Sequence, residues 1–492
     1  MGNNLLPHAG DYLRFLPEIL LSVFGALVML LEAVAPPGSS GIRKTSLGVL
    51  SLLGVVLAFF ANFYAMRHPG LAFQNMLSVD GYATFFRGLV LLVGFLCILL
   101  SFSYLNREQA QSGEYYTLIL FSLVGQCLLA ASADLIMVFI GLEISSIATY
   151  ILAGFLRDDR RNNEAALKYF LLGSLATAFL LYGIAWTYGL TESTNFDQIQ
   201  RVLAYQAFRS TGILASVAAG LIFVGLGFKV SVAPFQVWTP DVYQGAASPV
   251  TAFMSAGPKA AAFAVFFRVF MISFGPLSDR WDRLVWICAL LTMLIGNFAA
   301  LRQTNIKRLL GYSSIAHAGY VLIALTADSD IGMAAGMFYL ASYALMNIGA
   351  FAVIGYVAAR HEQYVRVEDL SGLSRRQPVT AALLAIFVFS LIGVPLTGGF
   401  FAKFYVFQAA LESHLVWLTV LGLINSAIAA FYYLRIIVAV YMREPGPAVS
   451  ALVPPSPGVR VALWMTAIGT LILGIFPSTV LTFASMSAAA LR

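Results

Sequence analysis

Charge is scarce in this chain. Of its 492 residues only 11% are Asp, Glu, Lys or Arg, against 60% hydrophobic, whereas soluble domains carry about 25% charged and about 45–50% apolar residues. A water-soluble fold of this length could not cover so much apolar surface with so little charge. Cysteine is scarcer still. Cys97, Cys127 and Cys288 stand singly inside apolar runs, without zinc, haem or cluster spacing, so no redox centre is expected in the chain. The five histidines are equally scattered, and no metal site is expected. The net charge of +6 does not point to nucleic acid, because most basic residues fall in short loops on one side of the predicted spans, as the positive-inside rule requires.

What the chain has in abundance is apolar sequence, with a mean hydropathy of +0.84. Runs of about twenty apolar residues, the length that crosses a hydrocarbon core as a helix, recur throughout. They fall near 15–35, 46–66, 82–104, 115–132, 134–155, 165–190 and 212–244. The rest lie near 249–273, 284–301, 309–327, 332–358, 379–411, 415–441 and 461–485. The expected fold is an all-α polytopic membrane protein of about fourteen transmembrane helices. Ala33-Val34-Ala35 has the small-x-small look of a cleavage site, but Asp11 and Arg14 precede it and Pro36 follows. The first run is therefore expected to stay as a helix.

Alternate loops carry fifteen basic residues, among them Arg43, Lys44, Arg107, Arg157, Arg160, Arg161, Arg302, Lys307 and Arg308. The opposite side carries eight, including Arg14, Arg67, Arg87 and Arg280. The richer side should face the cytoplasm, with both termini outside. Two spans are too long and too interrupted for straight helices. The first, 212–244, holds Pro234 and Pro240; the second, 379–411, is cut by Gly393-Val394-Pro395 and Gly398-Gly399. Such breaks free backbone carbonyls at membrane depth. Lying five helices apart, they look like matching members of an inverted repeat, expected over 115–273 and 284–441, with flanking helices over 15–104 and 461–485.

Lysine occurs at six positions, and four of them, Lys168, Lys229, Lys259 and Lys403, fall inside predicted spans. A charge at a helix centre costs roughly 2.5–3.5 kcal/mol on insertion scales, so intramembrane ionisable residues mark ion or proton pathways. Glu143, within Val138-Phe139-Ile140-Gly141-Leu142-Glu143, and mid-span His317 join them. A buried acid and a nearby lysine favour each other's charged forms while desolvation opposes both, and histidine titrates near neutrality. Plainer roles compete. Lys168 stands four residues after Glu164, so an interfacial i,i+4 pair explains it as well. Arg268 and Arg435, near span ends, are expected to snorkel to the interface.

A resemblance then emerges. Gly227-Phe228-Lys229-Val230-Ser231-Val232-Ala233-Pro234-Phe235-Gln236-Val237-Trp238-Thr239-Pro240-Asp241-Val242-Tyr243-Gln244-Gly245, continuing into Ser248-Pro249-Val250-Thr251-Ala252-Phe253, resembles the motif of subunit N of respiratory complex I, the proton-translocating NADH-quinone oxidoreductase. Further support comes from Glu164-Ala165-Ala166-Leu167-Lys168-Tyr169-Phe170, Pro258-Lys259-Ala260, Tyr312-Ser313-Ser314-Ile315-Ala316-His317 and Gly393-Val394-Pro395-Leu396-Thr397-Gly398-Gly399-Phe400-Phe401-Ala402-Lys403. The resemblance covers nearly the whole chain.

It implies a fourteen-helix antiporter-like subunit of the membrane arm in a bacterial inner membrane, partnered by other membrane-arm subunits and the bilayer. No cofactor is implied in this chain; NADH, FMN, iron-sulfur clusters and quinone belong to other subunits. It further implies that Glu143 and Lys229 interact, that Lys168 modulates Lys229, that Lys259 is the central relay, that His317 relays onward and that Lys403 serves the second half-channel. The family usually has His where this chain has Gln236, which cannot titrate but can order a water. A cation/proton antiporter of the Mrp type and a passive membrane scaffold are the alternatives, and lysine at 403 favours subunit N over its sister subunits.

Overall fold

Polar breaks in the sequence become helix caps. In the computed structural model, which describes residues 7–34, 41–206 and 211–491, Asp80 Oδ1 accepts from Ala83 N at 2.7 Å, Asp134 Oδ1 from Ile136 N at 2.8 Å and Asn305 Oδ1 from Arg308 N at 3.0 Å. Each satisfies a donor that the first helical turn leaves open. Such caps open the helices Gly81–Glu108, Leu135–Ala153 and Ile306–Thr326. Ser112, Asp159 and Ser329 do the same for Gly113–Ala131, Arg160–Thr191 and Asp330–Val357.

Thirteen helices among the described residues are long and apolar enough to cross a membrane. A fourteenth apolar segment is supplied by the paired halves Pro378–Ile392 and Gly398–Glu412. Both expected breaks are present. The first separates Thr211–Val230 from the short helix Thr239–Gly245. At the second, Gly393 adopts φ +94° and ends the first half. A Cβ on Gly399 would stand 1.8 Å from the Ser390 carbonyl oxygen, so glycine lets the halves cross in close contact.

Three boundaries differ from expectation. The last span is two helices, Pro457–Ile475 and Pro477–Ala489, because Pro477 forces Phe476 out of helical geometry. The segment 249–273 is an α-helix, Ser248–Phe267, finished by a π-helical turn, Arg268–Ser273. Arg160–Thr191 reaches further toward the basic loops than the apolar run alone. Ala35 and Pro36, Arg209 and Arg492 lie outside the described residues.

The helix ends sort into two faces. Arg161 Nη2 reaches the His361 carbonyl at 2.7 Å, Arg107 Nη1 the Gly355 carbonyl at 2.9 Å and Ile306 N the Val365 carbonyl at 2.7 Å. These contacts gather the Arg-rich loops at one end. At the other end Arg14 binds the carbonyls of His68 and Leu71, both at 2.9 Å, and Ser413 Oγ that of Ala327 at 2.7 Å. A short hairpin, Gly70–Ala72 with Leu77–Val79, lies there too.

Candidate functional site

The helix Ser248–Phe267 is surrounded on all sides, every residue buried, and it places Lys259 in the middle of the protein. Lys259 Nζ donates to Ser314 Oγ at 2.5 Å and to the Ser314 carbonyl at 3.0 Å, and it faces the Tyr343 ring at 5.9 Å. Ser314 in turn lies 3.4 Å from the Tyr243 hydroxyl. One turn along the same helix, His317 Nε2 meets the Tyr433 hydroxyl at 3.1 Å and Nδ1 meets that of Tyr339 at 2.6 Å. Ser313 also bonds Tyr433. Serine and tyrosine hydroxyls both donate and accept, so each can pass a proton on by reorienting.

Lys229 sits on one side of this centre, in the last turn of Thr211–Val230. Its ammonium is buried and donates to Ser146 Oγ at 2.9 Å and Tyr169 OH at 3.0 Å. The Tyr169 ring stacks on Trp238 with centroids 4.5 Å apart. Trp238 Nε1 donates to the Phe228 carbonyl at 3.0 Å, which caps the first break from within. Gln236, 8% exposed, holds its Oε1 without a partner among the described residues.

Lys403 lies on the other side. Its Nζ donates to the carbonyls of Leu391 and Ile392, at 3.1 and 2.7 Å, and to Ser426 Oγ at 2.8 Å. These are carbonyls that the end of Pro378–Ile392 leaves without helical partners. The ammonium also faces the Tyr320 ring at 5.2 Å, and that ring is 5.9 Å from the His317 ring.

The expected residues are thus brought together unevenly. Lys229, Lys259, His317 and Lys403 are all buried and tied to hydroxyls. Glu143 is not bonded to Lys229: the ammonium binds Ser146, one turn beyond Glu143, while Glu143 Oε1 is buried without a partner among the described residues. Lys168 is 40% exposed and pairs with Glu164 at 2.7 Å and Asp241 at 2.6 Å. Asp241 also holds Arg308. The chain neighbour of Lys168, Tyr169, bonds the Lys229 ammonium.

Sequence reasoning missed the hydroxyl partners Ser146, Tyr339, Tyr433 and Ser426, since Ser and Tyr are common in membrane helices; their signal was only polarity inside apolar runs. It also misplaced three cations. Arg268 does not snorkel: it is 3% exposed and binds both oxygens of Asp80, at 2.7 and 2.8 Å, over the Tyr82 ring. Arg87, expected on the outer side, is enclosed and paired with Glu18 at 2.6 Å. Lys307, expected in a loop, is fully buried. Arg435 donates to the carbonyls of Leu301, the last residue of the helix Ser278–Leu301, and Gln303 just beyond it.

Two broken helices flanking a central buried lysine, with a hydroxyl-bonded histidine one turn beyond its serine partner, define an antiporter-like membrane subunit. Residues 132–429 match the family model described as NADH:quinone oxidoreductase/Mrp antiporter, TM. Within that class, the chain belongs to the subunit N family of NADH-quinone oxidoreductase. It is 59% identical over 482 residues to NADH-quinone oxidoreductase subunit N 1 of Solibacter usitatus, covering 98% of each chain. It is 44% identical to subunit N of Trichlorobacter lovleyi, covering 96% of each. Among solved structures, a chain of respiratory complex I from Thermus thermophilus superposes with a TM-score of 0.81 at 35% identity, over 95% of this chain and 99% of that one. A chain of the Mrp complex from Dietzia gives 0.85 at 22% identity, over 97% of each, which shows a shared fold.

Proposed function

We propose that this chain translocates protons in the membrane arm of a bacterial NADH-quinone oxidoreductase, beside other membrane-arm subunits. NADH, FMN, iron-sulfur clusters and quinone react on other subunits, and this chain contributes the buried path. The observation that carries the reading is the enclosed series Lys229, Lys259, His317 and Lys403, each bonded to hydroxyls that can accept and donate. Mechanistically, a proton leaves the Lys259 ammonium for Ser314 Oγ, which hands its own proton to the Tyr243 hydroxyl 3.4 Å away. The Ser313–Tyr433–His317 cluster then offers the next acceptors toward Lys403. Glu143 and Lys229 form the input side, Lys168 biases it through Tyr169 and Asp241, and the change of charge at one site alters the neutral-to-charged balance at the next.

The repeats, over 115–273 and 284–441, place one broken helix in each half. The basic face is cytoplasmic and both termini are outside, in accord with the Lys/Arg bias. The test is proton uptake per NADH oxidised in vesicles carrying the assembled complex. Lys259→Ala is expected to assemble and lose most uptake, and uptake unchanged per assembled complex would remove the reading. Uptake that required sodium would instead favour a cation/proton antiporter.

A further inference from the structure

A second enclosed ion pair lies at the basic face, apart from the buried lysines at the centre. Lys307 Nζ and Glu362 Oε2 are 2.5 Å apart, with side-chain exposures of 0% and 7%. Neither residue bonds to Lys229, Lys259 or Lys403 in the structure. Lys307 Nζ also donates to the Ala246 carbonyl at 2.5 Å, and Glu362 Oε1 accepts from Ser248 N at 2.7 Å. The pair therefore clasps both sides of the two-residue joint between the first broken helix, which ends at Gly245, and the Lys259 helix, which begins at Ser248.

The loop that presents Glu362 is held under strain. Ala359, His361 and Glu362 have φ values of 56°, 56° and 47°, a region that non-glycine residues leave unless their surroundings over-determine it. Those surroundings are visible. Both Glu108 oxygens accept from His361 N at 3.0 and 3.1 Å, and Arg161 Nη2 donates to the His361 carbonyl at 2.7 Å. Backbone bonds from Ile306 to Val365 and from Val367 to Thr304 tie the same loop to the start of the Lys307 helix.

Helix geometry links this clasp to the centre. Lys307 and Ser314 stand seven residues apart on one helix, and Ser248 and Lys259 stand eleven apart on the other. At 3.6 residues per turn these are about two and about three turns, so each pair shares a face. The clasp thus fixes the starts of the two helices whose middles form the Lys259–Ser314 contact.

We infer that Lys307 and Glu362 are a positioning pair that sets Lys259 against Ser314 and carries no proton itself. The inference rests on the reading of Lys259 as a proton-transfer residue, so Lys259→Ala is the control: if that variant pumps normally, the reading of the site has failed, not the clasp alone. A shift of about 1 Å in a reacting geometry costs up to about 10²-fold in rate. Glu362→Gln keeps the shape and the Ser248 bond but removes the charge. Lys307→Met removes the ammonium and leaves both of its partners, the Ala246 carbonyl and Glu362, without that donor.

The measurement is the initial rate of proton uptake by vesicles, per assembled complex quantified on the same preparation. Losses of about threefold or more in both variants are expected, together with wild-type behaviour in Lys307→Arg, since a fixed charge is all the clasp needs. On a Ser314→Ala background, Glu362→Gln should add little further loss, because both act on one contact. Losses below about threefold, a Lys307→Arg variant as poor as Lys307→Met, or fully additive losses with Ser314→Ala would each overturn the proposal.

Discussion

Lys403→Arg separates a lysine that carries a proton from one that only balances charge. The Lys403 ammonium has three donors and three acceptors, the Leu391 and Ile392 carbonyls and Ser426 Oγ, at 2.7–3.1 Å. Lys403→Ala leaves these groups buried without that donor. At about 1–3 kcal/mol for each unsatisfied group, the two carbonyls alone cost roughly 2–6 kcal/mol, enough to disturb the break. Arginine can refill the site: a cavity of about 460 Å³ borders Lys403, lined by Phe404, Phe407, Thr419 and Ser426, and the guanidinium offers five donors. Its proton cannot leave, however. The complex with Lys403→Arg should therefore assemble like wild type yet take up protons no better than Lys403→Ala. The assay is proton uptake per NADH in vesicles, with assembly checked by native electrophoresis. Wild-type uptake in Lys403→Arg would make Lys403 a fixed charge and refute the reasoning.

Four further outcomes are expected. Tyr169→Phe removes one of the two hydroxyls that hold Lys229, at about 1–3 kcal/mol for the lost bond, and should lower proton uptake while assembly, read on the same gel, persists. Glu18→Gln strands Arg87 in a pair whose side chains are 0–1% exposed, a cost of about 3–5 kcal/mol; assembled yield should fall while uptake per assembled complex stays unchanged. For pH, burial acts to raise the Glu362 carboxyl, but Lys307 and the Ser248 bonds outweigh it and hold the group below its ordinary value. Its stabilisation is then complete above that ordinary value and lost as pH falls through the lower folded one; Arg161 and Glu108, which also face the loop, are held in place by its backbone, and Glu362→Gln should flatten the acid limb of a thermal-melting profile. Cysteines placed at Arg160 and Arg302 should label only from the cytoplasm and one at Asp197 only from outside, and the reverse would invert the orientation.

Much of this was legible in sequence because the membrane penalises each feature that function requires. Pro234 and Gly393-Val394-Pro395 predict breaks since nothing else ends an apolar run at mid-depth, and four intramembrane lysines are too costly to be accidental. What stayed illegible was pairing. Arg87, Arg268 and Lys307 lie within about two turns of helix ends, where a cation that reaches water and one buried against Glu18, Asp80 or Glu362 have the same sequence environment. The direct partner of Lys229 was illegible for a related reason: a motif places Glu143 and Lys229 in one region but cannot say that Ser146, one turn beyond Glu143, receives the ammonium.

The two breaks also differ in a way that bears on how the halves divide their work. At the first, the Trp238 indole and the Val232 N–H take up the Phe228 and Gly227 carbonyls, so Lys229 is free of the backbone and bonds only hydroxyls. At the second, Lys403 itself takes up the carbonyls of Leu391 and Ile392. A neutral amine keeps two N–H donors where the ammonium has three. Loss of a proton from Lys403 therefore either drops a carbonyl of the break or turns the Ser426 hydroxyl from acceptor to donor toward the amine, whereas loss of a proton from Lys229 removes no bond to the backbone among the described residues, since its partners are the Ser146 and Tyr169 hydroxyls. A proton that left Lys403 would therefore act on the carbonyls of the second break, and one that left Lys229 would act on hydroxyls, so the second break is expected to be the one that responds to the proton.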